Sequence, residues 1–146
     1  MKNPLRVDEM INPHVSVDCV VLGFDGEHLK VLLVKQTGHE ESGYYNNMKL
    51  PGSLIYNDED LDEAAQRVLY ELTGLNELHL IQFRAFGSKN RTNNPKDTKW
   101  LERFHQLNQK VERIVTITYL TMVKIDKKLT HLSDRYEACW LSLIHI

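Results

Sequence analysis

Arg67 and Glu71 stand four residues apart in a stretch whose apolar residues recur at helical spacing. On a helix they share one face, where a guanidinium and a carboxylate at that separation pair. Further on, Lys89, Arg91, Lys96 and Lys99 form a basic stretch that ends beside Trp100, and Arg113 precedes a β-rich run. Guanidinium forks match phosphate oxygens in charge and geometry. The chemistry on offer is therefore a phosphate or nucleotide contact, with Arg91 and Arg113 as the ligand-binding candidates. A merely solvated loop is the competing reading. Trp100 and Tyr119 have the ring area to stack on an adenine, although such residues more often fill cores. The seven histidines share no metal-ligand spacing. No Gly-x-Ser-x-Gly elbow and no phosphate-binding glycine loop occurs. Cys19 and Cys139 are too few and too far apart for a disulfide framework or zinc ribbon. They read as reduced thiols, which places the chain in the cytoplasm.

The elements that must hold these groups follow from periodicity and turn chemistry. Residues 1–13 are polar and contain Pro4 and Pro13, as in a loosely ordered arm. Val15, Val17, Cys19 and Val21 alternate at period two and predict a strand to Phe24. Asp25-Gly26 then turns the chain into a second strand, Leu29 to Val34. Thr37 to Asn47 reads as a polar loop, and Pro51-Gly52 interrupts a short apolar run from Met48 to Ile55. Asp60 with Glu63 forms a capping box. Leu61, Ala64, Ala65, Val68, Leu69 and Leu72 form the stripe of the helix it opens, and Gly74 closes it. Leu78 to Phe86 is a strand whose apolar phase slips at Leu80-Ile81, which predicts a bulge there. Asp97 is placed to cap a short helix bearing Trp100, Leu101 and Phe104. Val111 to Val123 and Tyr136 to Leu141 complete the strands. This order predicts an α/β or α+β domain around a mixed sheet.

A chain of 146 residues fits one domain. Apolar residues at 42% and charged residues at 26% are ordinary for a globular fold and exclude disorder of the whole chain. The net charge of -2 argues against general nucleic-acid or lipid binding. No apolar run reaches the roughly 18 residues of a membrane span.

The segment Pro51 to Leu75, PGSLIYNDEDLDEAAQRVLYELTGL, resembles the Nudix box. This is the loop-helix-loop signature of enzymes that hydrolyse nucleoside diphosphates linked to another moiety. Glu59, Arg67, Glu71, Gly74 and Leu75 stand at the family's spacing, while Ser53 replaces the opening glycine and Val68 and Leu72 replace two box glutamates. The resemblance covers roughly residues 14–140 and implies a Nudix-type α/β/α sandwich with a mixed β-sheet. It also assigns roles. In an active enzyme Glu59, Arg67 and Glu71 would be catalytic, and Glu71, with Glu59 weakly, would hold Mg. Positions 68, 71 and 72 converge on one patch of a helix. With only Glu71 acidic there, the expectation is a catalytically deficient domain without a cofactor. Reinstating glutamate at 68 and 72 would be the first step back to turnover.

The run from Ala65 to Leu75, with Arg113 to Tyr119, is similar to a branch of Nudix-related transcriptional regulators. That branch senses ADP-ribose-like nucleotides or sugars and binds DNA through a C-terminal winged helix. The implied function is a sensor of a phosphorylated sugar or ADP-ribose-like nucleotide. Arg67 and Glu71 are then ligand-binding, DNA is reached only through a further domain, no membrane is a partner, and a homodimer is expected by analogy. Two alternatives are an active Nudix pyrophosphohydrolase using Mg and a protein-interaction domain with no small ligand. Residues 141–146 match the translation of a transposon end used in sequencing libraries and are expected to be a non-native tail, with the winged helix missing.

Overall fold

A computed structural model of the chain describes residues 10–40, 43–90, 95–104 and 113–145. Their elements run β1 (Ile11–Phe24), β2 (Leu29–Glu40), β3 (Gly43–Lys49), β4 (Gly52–Tyr56), α1 (Leu61–Thr73), β5 (Ile81–Phe86), α2 (Pro95–Phe104), β6 (Val115–Lys124) and β7 (Cys139–Ser142). The strands form one seven-stranded mixed sheet in the order β3-β2-β1-β6-β5, with β4 also on β1 and β7 also on β2. β1 is the hub. It runs parallel to β6 from Val15↔Val115 to Phe24↔Lys124, and antiparallel to β4 and β2 on its other edge. The expected mixed α/β architecture is the one observed.

Several boundaries differ from the expectation, each for a physical reason. The arm shortens because Ile11 is 3% exposed and pairs with Tyr56, so 11–13 belong to β1. Thr37 to Asn47 is mostly a ladder instead of a loop: β2 and β3 pair from Val34↔Lys49 to Glu40↔Gly43. Backbone pairing needs no apolar side chains, so a polar hairpin leaves no alternation to read. β5 starts at Ile81 because Leu78 and Leu80 pack against the core instead. Its bulge lies between Gln82 and Arg84. α2 opens at Pro95, ahead of Asp97, where proline's missing N–H costs nothing. β7 begins only at Cys139, since Glu137 takes a positive φ of 50°. Leu141 and Ser142 pair with Val31 and Lys30 in the sheet.

The turn and helix chemistry follows the sequence closely. Asp25 Oδ1 accepts the N–H groups of Glu27 and His28 at 2.9 and 2.7 Å, beside Gly26 at φ 103°. α1 is bounded by the Asp60–Glu63 capping box and by Gly74 in the left-handed region at φ 84°. Glu63 Oε1 accepts the Asp60 N–H at 2.9 Å. The inward face of α1 buries Ala64, Ala65, Val68, Leu69 and Leu72 in the same cluster as Val17, Cys19, Val21, Leu32 and Leu54. At the other end of the sheet β5 is an edge strand exposed along its whole length.

Two core groups make measurable claims. Cys19 is fully buried, its thiol donates to the Ala65 carbonyl at 3.6 Å, and burial followed by the nearby Asp18 charge pushes its pKa up to about 12. In the folded protein Cys19 is therefore expected to resist maleimide while Cys139 is modified, with both reacting in denaturant. Mass-spectrometric mapping checks this. Tyr119 is 1% exposed, and its hydroxyl donates to Asp62 Oδ1 at 2.6 Å, tying β6 to the first turn of α1. Burial, then the Asp62 carboxylate, raise its pKa above the ordinary 10.0. The folded state thus holds this proton more tightly than the unfolded chain. Its contribution is present below about pH 10 and is lost as pH rises further. Tyr119→Phe is expected to cost about 1 kcal/mol, because exposed Asp62 regains water, and to lower Tm by a few degrees in a thermal melt.

Candidate ligand-binding site

Three of the expected site residues are brought together. Arg67 Nε donates to Glu59 Oε2 at 2.6 Å and Nη2 to Glu59 Oε1 at 2.9 Å, a two-pronged pair. Nη1 donates to Glu71 Oε2 at 3.1 Å and Nη2 also to the Leu54 carbonyl at 3.1 Å. The guanidinium carbon lies 4.4 Å from the centre of the Tyr56 ring, and the Tyr56 N–H donates to Glu59 Oε1 at 2.8 Å. Burial alone would lower the arginine pKa, but the hydrogen bond and charge of Glu59, then Glu71 and Tyr56, hold it above its ordinary value. The side chains of Arg67 and Glu59 are 9% and 4% exposed, while that of Glu71 is 35% exposed. The arrangement clamps the β4–α1 loop onto the helix, with Glu71 left as the solvent-facing carboxylate.

The family's implied ion meets a poor donor set here. Val68 and Leu72 are 1% and 0% exposed and apolar, Glu59 is enclosed by Arg67 and the Tyr56 N–H, and only Glu71 faces solvent. A hard cation binds through several oxygens. Among the described residues no three His, Cys, Asp or Glu side chains cluster for a metal ion. Of these box positions, Glu71 alone offers a divalent ion a solvent-facing carboxylate.

Beside the clamp lies a cleft of about 590 Å³ lined by Tyr56, Tyr70, Glu71, Gly74, Phe104, Ser133, Arg135 and Tyr136. A second, of about 390 Å³, is lined by Lys35, Trp100, Arg103, Phe104, Arg135, Tyr136 and Glu137. The Phe104 and Tyr136 rings, 5.6 Å apart, stand at their shared wall. The bond from the Ser133 N–H to the Thr73 carbonyl, 2.8 Å, holds the pre-β7 segment against the end of α1. The bond from the Lys35 N–H to the Tyr136 carbonyl, 2.9 Å, ties the same segment to β2. Burial raises the Tyr136 phenol pKa, Arg135 opposes the rise and Glu71 adds to it, so the hydroxyl stays protonated.

The remaining candidates fall elsewhere. Arg113 is exposed, donates through Nη2 to the Gly87 carbonyl at 3.1 Å, and lines neither cleft. Arg91 and the side chain of Lys96 lie outside the described residues. Trp100 is 6% exposed, stacked on Phe104 at 5.1 Å with Lys49 Nζ 3.8 Å over its ring, and Tyr119 is in the core. Neither presents a free face to a base. Sequence reasoning passed over Tyr56, Tyr70, Arg103, Arg135 and Tyr136, which come from β4, α1, α2 and the pre-β7 segment.

The NUDIX domain model matches residues 12–146. Among solved structures, a MutT/nudix family protein from Enterococcus faecalis superposes with a TM-score of 0.66 at 24% identity, over 90% of this chain and 44% of its own. The Nudix domain of Shewanella oneidensis NrtR, crystallised with ADP ribose, superposes at 0.65 and 21% identity, over 99% of this chain and 80% of its own. NrtR crystallised with a 27mer DNA gives 0.60 and 24% identity, over 89% and 51%. The chain thus spans less than half the length of the Enterococcus protein. No curated protein matches the chain.

Proposed function

Because the chain belongs to the Nudix family, we propose that it binds a phosphorylated sugar or ADP-ribose-like nucleotide without hydrolysing it, as the sensing part of a transcriptional regulator. The observation that carries this reading is the burial of Val68 and Leu72, at 1% and 0% exposed, where the family's box has glutamates. A diphosphate hydrolase of this type relies on an ion to polarise the phosphate and activate water. A helix that spends those positions on its core retains a binding fold without the metal chemistry. The likeness to NrtR, whose Nudix domain was crystallised with ADP ribose, supports the ligand class.

In this reading Glu71 acts as a polar contact and Arg67 holds it in place. DNA is bound through a further domain, so this domain alone gives no sequence-specific gel shift at submicromolar concentration. Calorimetric titration with ADP-ribose tests the function. Saturable binding is expected, with an affinity unchanged within about twofold when EDTA replaces magnesium. Binding that depends on magnesium would overturn it and favour the hydrolase reading.

A further inference from the structure

β5 closes the sheet on one side, and it carries apolar residues where an edge strand is usually guarded by lysine or proline. Ile81, Phe83 and Phe86 are 58%, 63% and 40% exposed, and Met122 of the neighbouring β6 is 70% exposed. The cause lies in where β5 begins. Leu78 and Leu80 pack against the core, so the pairing of β5 with β6 starts only at Ile81↔Leu120, while β6 continues to Lys124. Thr121 and Met122 thus extend past the start of β5. A recess of about 420 Å³ opens there, lined chiefly by Ile81, Phe83, Leu120 and Met122 and by no Asp, Glu, Lys or Arg. The bulge between Gln82 and Arg84 breaks the register and leaves Phe83 as the extra residue. Apolar side chains, more than a continued backbone ladder, are what this edge offers a partner.

We propose that a second copy of this chain covers the patch, packed about a two-fold axis beside Phe83. Area is the first argument. The exposed parts of Ile81, Phe83, Phe86 and Met122 amount to roughly 400 Å² of apolar surface, taking about 200 Å² for a whole large side chain. A standard interface buries about 800 Å² per partner, a little over half of it apolar, so the patch supplies the apolar share of one such interface. Charge is the second argument. A two-fold contact sets each group near the axis against its own kind, so a charged patch would repel itself. Arg84 is the sole formal charge on β5; its guanidinium carbon is 5.3 Å from the centre of the Phe86 ring, and it lines no part of the recess. The net charge of -2 also leaves little long-range repulsion between copies. None of these residues lines either cleft, so the proposal stands independently of the ligand reading.

Sedimentation equilibrium of the whole chain over a concentration series tests this, with Phe83→Asp, Met122→Asp and Met48→Asp alongside. All three positions are exposed, so circular dichroism should show each variant folded. The unmodified chain is expected to dimerise with a micromolar or tighter dissociation constant, the range that interfaces of this area cover. Phe83→Asp and Met122→Asp each set like charges against one another across the axis, and each is expected to weaken dimerisation by about a hundredfold or more. Met48 lies on β3 at the opposite end of the sheet, and Met48→Asp is expected to leave the dissociation constant unchanged. A chain that stays monomeric at concentrations about a hundredfold above micromolar leaves the patch to another partner and overturns the proposal. A folded Phe83→Asp variant that still dimerises overturns it too, as does a Met48→Asp variant that dissociates as readily as the other two. Should Phe83→Asp fail to fold, Met122→Asp carries the same test.

Discussion

The double substitution Val68→Glu and Leu72→Glu is expected to unfold the domain instead of restoring an ion site. On the sequence alone these changes look like a repair, because they return the family's glutamates to positions one helical turn apart. In the structure both side chains are buried in the face that α1 presents to the core. An unpaired carboxylate at such a position costs several kcal/mol after relaxation, or takes up a proton to avoid its charge. Two of them rival the whole stability of a domain, about 5–15 kcal/mol. Near-ultraviolet circular dichroism and a thermal melt at neutral pH should show loss of the cooperative transition. Acidification should recover part of the fold. Buried carboxyls with raised pKa values bind protons in the folded state, so stability rises as pH falls through those values. A folded double variant with magnesium-dependent phosphate release would show that both positions reach solvent and that the core assignment is wrong.

Arg67→Ala is expected to cost about 3–5 kcal/mol, because it leaves Glu59 buried with no cation beside it. Glu59 is 4% exposed and both its oxygens accept from Arg67. For a domain of this size the loss corresponds to a Tm decrease of about 10 °C or more. An exposed pair at i, i+4 would contribute only about 0.3–0.5 kcal/mol, so the melt separates a buried clamp from a surface ornament. Removing the charge as well should recover much of the loss. Arg67→Met with Glu59→Gln keeps an oxygen for the Tyr56 N–H and leaves no stranded carboxylate. The double variant is therefore expected to melt higher than Arg67→Met alone. A Tm change below about 2 °C for Arg67→Ala would contradict the clamp.

The parts of this fold written in local signals were legible, and those written in long-range pairing were not. The capping box at Asp60 and Glu63, the left-handed Gly74 and the stripe of α1 all appear where the residues placed them. Each is a property of a few neighbouring side chains. The β2–β3 hairpin is polar and was hidden, because its register is set by the backbone. Arg67 and Glu71 were found as an i, i+4 pair, whereas the second partner of Arg67, Glu59, was legible only through the family spacing. The cleft was least legible. Tyr56, Tyr70, Arg103 and Tyr136 lie tens of residues apart and become neighbours through the packing of α1, α2 and the segment before β7. The basic stretch from Lys89 to Lys99 drew attention by charge density; its candidate Arg91 lies outside the described residues, while Arg113, from further along the chain, lies away from both clefts. Charge density in sequence marks a solvated segment as readily as a site.

Binding without turnover is tested most directly by following ADP-ribose at saturating concentration with magnesium and the unmodified chain, by chromatographic separation of substrate and products. ADP-ribose is expected to be recovered intact after many hours while a parallel titration shows the site filled. Release of AMP and ribose phosphate on the order of 1 s⁻¹, the scale of ordinary enzymes, would contradict it and make this chain a working hydrolase.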